Sequence, residues 1–273
     1  MLPACAELLN PALPRHPFKV AVFDFDGTVS LIREGWAGVM ADLGLEILRD
    51  QKLLRDTESA ERLYLEDQML RLSGKPSVFQ MRRMAEIVTE RGGTPPDSDA
   101  ILAEFLRRLF AIADRRKADL QSGKATPAEW AVPGTHALLD ELRRRGVELY
   151  LASGTDLRYV REEAALLDLP RYFGDRVFAP ADNTPDFSKR TVIEGILRDH
   201  RITGAELIGF GDGYSETVEV KRAGGVAVGV ASQEAGVPGL NALKRAMLAE
   251  LGADVIVPDY GHPAALVAWL FGE

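Results

Sequence analysis

Phe18-Lys-Val-Ala-Val-Phe-Asp24-Phe-Asp26-Gly-Thr28 is a short apolar, β-branched run that stops abruptly in two acids, a glycine and a threonine. The run predicts a strand buried on both faces, as in a parallel sheet. In an open α/β sheet ligands bind just beyond the carboxyl ends of the strands, so Asp24 and Asp26 fall at a site. Two acids this close repel each other and are costly to bury unpaired. Taken alone, the stretch also reads as a turn built around Gly27.

Downstream of Thr28 the pattern changes. From about Arg33 to about Gln121 the periodicity is helical, in runs Gly35–Leu48, Lys52–Leu72, Ser77–Arg91 and Ser98–Leu120. Ser73-Gly74-Lys75-Pro76 and Gly92-Gly93-Thr94-Pro95-Pro96 break it. Alternation of strand and helix resumes at Pro133-Gly134 and continues to Phe271, with strands at Val147–Ala152, Arg176–Ala179, Leu207–Phe210, Gly225–Val230 and Asp254–Val257. Such alternation implies a doubly wound parallel sheet of α/β class. The expected division is an arm over 1–17, an α/β core over 18–32 and 122–273, and a helical domain over 33–121.

Three further stretches repeat the motif of a strand ending in chemistry. Leu149-Tyr-Leu-Ala-Ser153-Gly154-Thr155 offers a hydroxyl and free backbone N–H groups at a helix start, suited either to an anion or to an ordinary N-cap. Lys189, in Phe187-Ser-Lys-Arg-Thr191, opposes the dipole of the helix it opens, with Ser188 as a plausible cap and Arg190 as a rival cation. Ile208-Gly-Phe-Gly-Asp212-Gly-Tyr-Ser-Glu216 again ends a strand in an acid, with Glu216 one helical turn on. Glu216 alone also fits a capping box.

In order and character these four stretches resemble the four motifs of the haloacid-dehalogenase superfamily of phosphohydrolases, over roughly residues 18–230. The resemblance implies a Rossmann-like core with a helical cap inserted after the first motif, as in the phosphoglycolate phosphatase and β-phosphoglucomutase types. It also implies Mg²⁺ held by Asp24, the Asp26 backbone carbonyl and Asp212, with Glu216 holding a metal-bound water. Asp24 would be the nucleophile and Asp26 the general acid/base, while Ser153, the Gly154 backbone and Lys189 would hold the phosphoryl oxygens. Many relatives carry a second Asp where this chain has Glu216. Dehalogenating relatives lack an acid at the position of Asp26, and P-type ATPase relatives usually have lysine there, which leaves phosphatase or phosphomutase. The expected substrate is a small phosphorylated metabolite such as a sugar phosphate or phosphoglycolate. A catalytically silent phosphate-binding module is the reading from another class, although such a relative would be expected to have lost Asp24 or Lys189. In the cap, Arg33 and Lys75 are candidates to touch substrate, with Gln80, Arg82 and Arg83 behind them, and Trp36, Trp130 and Trp269 read as packing.

Composition agrees with a globular enzyme: 273 residues, 46% hydrophobic and 27% charged. A net charge of -8 argues against a general nucleic-acid binder, so positive charge must be concentrated locally to handle phosphate. The single cysteine, Cys5, rules out an internal disulfide framework. Neither a signal peptide nor a stretch able to span a bilayer is legible, and the expectation is a cytoplasmic monomer or homodimer.

Overall fold

The computed structural model describes residues 1–73, 75, 77–181, 187–233 and 235–273. Its centre is β2 (Val20–Phe23), buried at every position. The parallel neighbours of β2 are β3 (Glu148–Ala152) and β5 (Leu207–Gly211). The sheet continues through β6 (Val226–Val230) and β7 (Val255–Val257) on one side and β4 (Val177–Phe178) on the other. With β1 (Glu7–Leu8) at the far edge, the strand order is β1-β7-β6-β5-β2-β3-β4. Phe23 pairs with both Leu151 and Phe210. The next residues out, Asp24, Ala152-Ser153 and Gly211-Asp212, therefore emerge side by side at one edge.

Within the arm expected over residues 1–17 lies β1. It pairs antiparallel with β7, Glu7 opposite Ile256 and Leu8 opposite Val255, and so covers what would be a bare sheet edge. The sheet is accordingly mixed rather than wholly parallel. Arg245 adds an ion pair to Glu7.

The helical insertion comprises α1 (Trp36–Asp50), α2 (Glu58–Leu70), α3 (Val78–Glu90) and α4 (Ser98–Gln121). Met40, Leu48, Leu65, Met69, Met84 and Phe105 form its centre, an apolar cluster separate from those of the sheet. The helical run expected from Lys52 starts later. Lys52 is left-handed at φ 59° and ends α1, and the Thr57 hydroxyl caps α2 by accepting the Ala60 N–H at 3.3 Å. Gly74 and Pro76 of the expected breaker lie outside the described residues.

Around the sheet lie α5 (Thr135–Arg144), α6 (Leu157–Leu166), the short α7 (Pro170–Phe173), α8 (Lys189–His200), α9 (Tyr214–Arg222), α10 (Ala242–Glu250) and α11 (Pro263–Leu270). The helix expected from Val237 begins only at Ala242. Gly236 and Gly239 take positive φ before it, and the Asn241 side chain caps it by accepting the Leu243 and Lys244 N–H groups. Among the described residues, no helix is long and apolar enough to cross a membrane.

Candidate active site

The first turn after β2 is held by its own backbone: the N–H groups of Thr28, Val29 and Ser30 all converge on the Phe25 carbonyl. Alternation along the chain sends Phe25 into the sheet's core and leaves Asp24 and Asp26 on the opposite face. Gly27 is required twice over. Its φ is +72°, and a Cβ there would stand 2.0 Å from Asp212 Oδ2.

Four residues from four segments meet at this edge. Lys189, at the N-terminus of α8, donates to Asp24 Oδ1 at 2.5 Å and to Glu216 Oε2 at 2.7 Å. Ser188 caps that helix by accepting the Thr191 N–H, while Arg190 turns away to pair with Glu194 on the surface. Burial works against the charge on Lys189, but Asp24 and Glu216 outweigh it and hold the ammonium above its usual range. Asp24, Asp212 and Glu216 are all buried, and each offers an oxygen within 4.8 Å of the others. Glu216 also accepts the Gly213 N–H at 2.7 Å, so the capping interaction and the place in the acidic cluster coexist in one side chain.

The acids carry the electrostatic cost of the site. Burial, then Glu216, raises Asp24 well above the ordinary carboxylate range, against the pull of Lys189. Burial likewise pushes Asp212 up to about 7. Five carboxylates gather here (Asp24, Asp26, Glu34, Asp212 and Glu216), and two ammoniums, Lys189 and Lys244, pair with four of them. Buried oxygens with this surplus of negative charge suit a hard divalent cation, and Asp24, Asp212 and Glu216 are the residues that could hold it.

Asp26 is steadied by Thr155, whose hydroxyl donates to Oδ2 at 2.8 Å, while the buried Oδ1 has no partner among the described residues. Its carboxyl is raised by burial, opposed chiefly by Arg33 and then by the Thr155 hydrogen bond. Ser153 Oγ accepts the Thr155 N–H at 3.0 Å, which leaves its own proton to donate elsewhere.

The sequence reading passed over Thr155, Glu34, Glu163 and Lys244. Lys244, on α10, is buried and reaches Glu34 Oε1 at 2.9 Å, Asp212 Oδ2 at 3.0 Å and Ser232 Oγ at 3.2 Å. Ser232 in turn donates to the Gly27 carbonyl at 2.5 Å. Glu163, on α6, takes the Arg33 guanidinium through Nε at 2.9 Å and Nη2 at 2.7 Å. Both residues carried a readable signal, since each occupies an apolar stripe at i, i+3, i+4: Lys244 with Met247 and Leu248, Glu163 with Val160 and Ala164.

The helical insertion roofs the site. The Ser73 carbonyl accepts the Tyr214 N–H at 3.2 Å, Arg71 pairs with Glu250 at 2.8 Å, and the Lys75 ammonium lies 4.7 Å from the centre of the Tyr214 ring. Between roof and floor is a cavity of about 150 Å³. Asp24, Asp26, Ser153, Gly154, Lys189 and Asp212 line it below, and Arg33 and Lys75 line it from the cap side. Trp36, expected only to pack, also lines it, at the start of α1 a few residues after the turn that follows β2.

Among solved structures the fold is similar to a predicted phosphoglycolate phosphatase from Haemophilus somnus, with a TM-score of 0.57 and 14% identity, covering 89% of this chain and 95% of that one. A haloacid dehalogenase family hydrolase from Deinococcus radiodurans, with bound phosphate and sodium, gives 0.57 at 17% identity over 93% and 96%. A candidate β-phosphoglucomutase from Bacteroides vulgatus gives 0.54 at 12% identity over 95% and 92%. No curated protein matches the sequence. At these identities the likeness is one of fold, but residues 18–224 match the model of the haloacid dehalogenase-like hydrolases, a span that contains all four acid-bearing and cation-bearing segments. The chain belongs to that hydrolase family.

Proposed function

We propose that this hydrolase is a Mg²⁺-dependent phosphatase acting on a small phosphomonoester through an aspartyl-phosphate on Asp24. The observation that carries the reading is the Lys189 ammonium bridging Asp24 and Glu216 beside Asp212, all buried at one sheet edge. The phosphate bound by the Deinococcus relative of the same fold supports it. The cation, when bound by Asp24, Asp212 and Glu216, supplies charge neutralisation for the phosphoryl group and its attacker.

Asp24 attacks phosphorus, a new P–O bond forms to its carboxylate, and the bond to the leaving alkoxide breaks. Lys189 favours the carboxylate of Asp24 against the burial that raises it, and neutralises a phosphoryl oxygen as charge shifts. Asp26, raised by burial, carries a proton closer to neutral pH than an exposed aspartate would and delivers it to the leaving oxygen. It then takes a proton from the water that attacks phosphorus, which frees phosphate and restores Asp24. Ser153 donates its hydroxyl, and the Gly154 backbone its N–H, to the phosphoryl oxygens. Arg33, neutralised by Glu163, and Lys75 face the leaving group from the cap.

Asp24→Asn removes the nucleophile and is expected to lower turnover of p-nitrophenyl phosphate by at least ~10³-fold, with thermal unfolding close to that of the parent protein. Retained turnover would place the nucleophile elsewhere. Appearance of free phosphate, rather than a phosphoryl group moved to another position of the substrate, separates hydrolysis from mutase chemistry.

A further inference from the structure

On the cap side the cavity has an apolar face, Trp36, Met40, Phe105, Leu106 and Leu109, beside the polar Arg33, Ser73, Lys75 and Ser77. Next to that apolar face one buried polar atom has no partner among the described residues. Gln80, on α3, is 3% exposed and lines the same cavity. Its amide nitrogen donates to the Leu72 carbonyl at 3.1 Å, whereas its carbonyl oxygen has no hydrogen-bond partner among the described residues. The Leu72 carbonyl settles which end of the amide is which, because a carbonyl facing a carbonyl has no proton between them. The unpartnered atom is therefore an acceptor, and a buried acceptor left unmet is costly.

We propose that Gln80 is a specificity-determining residue of the cap, and that the substrate is the phosphomonoester of a compact alcohol carrying a hydrogen-bond donor that meets Gln80 Oε1. The inference rests on the phosphatase reading above and narrows it. A cavity of about 150 Å³ is small beside the ~300–1,000 Å³ of sites for drug-sized ligands, so the leaving group is short. A donor on the leaving group that lies against Trp36, Met40 and the α4 side chains loses water and needs a partner there. A single donor placed at Gln80 gains one. Because Gln80 also holds Leu72, next to Ser73 whose carbonyl takes the Tyr214 N–H, the substrate's donor would bind beside the segment that docks the helical insertion on the sheet domain.

The test compares ω-hydroxyalkyl phosphates, ethyl through pentyl, with n-alkyl phosphates in which a methyl group replaces the hydroxyl, reading phosphate release with Mg²⁺. At one chain length kcat/KM is expected to favour the hydroxyl ester by roughly 10- to 100-fold. In Gln80→Met that ratio is expected to fall to about one, the variant's folding being checked by circular dichroism. A wild-type ratio near or below one at every length would overturn the proposal without recourse to the variant, as would a preference that survives in Gln80→Met. If p-nitrophenyl phosphate is hydrolysed and the hydroxyl preference is missing, this inference alone fails. If no phosphomonoester is hydrolysed, the phosphatase reading falls and takes this one with it.

Discussion

Asp26 and Thr155 show how a single hydroxyl sets the behaviour of an acid. Asp26 Oδ2 accepts the Thr155 proton at 2.8 Å, whereas the buried Oδ1 accepts none among the described residues, so one oxygen alone is fixed. The hydrogen bond favours the charged carboxylate and partly offsets burial, which raises the carboxyl. Thr155→Val keeps the shape and removes the donor. Its Asp26 should hold a proton to higher pH, so the alkaline limb of the pH–rate profile, where a general acid is lost, should move upward. Turnover should drop by about tenfold from lost orientation. An unmoved alkaline limb would show that Thr155 does not act through Asp26. Gly27 makes the complementary point about backbone: at φ +72° and 2.0 Å from Asp212 to its missing Cβ, it is the residue that lets the nucleophile turn and the third acid approach each other.

Between elements, α10 is tied to the nucleophile loop by charge as well as by apolar packing. Lys244 spans Glu34, just before the cap begins, and Asp212, at the end of β5. Removing one side of a buried ion pair strands the other in a poorly solvated place, a loss of about 3–5 kcal/mol, whereas removing both sides costs less. Lys244→Ala should therefore lower unfolding free energy by ~3–5 kcal/mol in the absence of Mg²⁺. Combined with Glu34→Gln, it should lose less than the sum of the two single changes. Urea unfolding of the four proteins measures this, and strict additivity would mean that Glu34 and Lys244 do not interact. The Arg33–Glu163 pair ties α6 in the same way to the chain leaving the nucleophile loop.

The protein as a folded unit concentrates like charge where a cation can offset it, and its stability should report that. Asp212 titrates at about 7 when folded, raised by burial, against roughly 3.9 in an unfolded chain. Between those values the folded state binds a proton that the unfolded state has released. This group's contribution to stability is therefore greatest in acid and is lost as pH rises towards about 7. Mg²⁺ requires the carboxylate, so its binding competes with that proton. The rise in melting temperature on adding Mg²⁺ to chelator-treated protein should be largest above about pH 7 and shrink below it. A rise independent of pH, or one larger in acid, would place the cation away from Asp212.

The residues themselves determined much of this. Apolar strands ending in Asp24, Ser153 and Asp212, alternating with helices, are sufficient to imply a parallel sheet with those groups at one edge, because strand ends in such a sheet share an edge. The change to helical periodicity at Arg33 likewise marks the insertion, because its apolar positions need a centre of their own. Other features were decided only by tertiary structure. Lys244 and Glu163 stand on apolar stripes of their helices, but which charge each one meets is decided only when those helices pack; Thr155 reaches Asp26 only through the turn after β3, and the arm has no visible reason to form β1 until β7 offers it an edge. Gln80 belongs to the same group, because an acceptor without a partner exists only once Leu72 has taken the amide proton and the cap has closed off water. Local pattern records what each segment must bury, whereas pairing between distant segments depends on distances that no single stretch of chain contains.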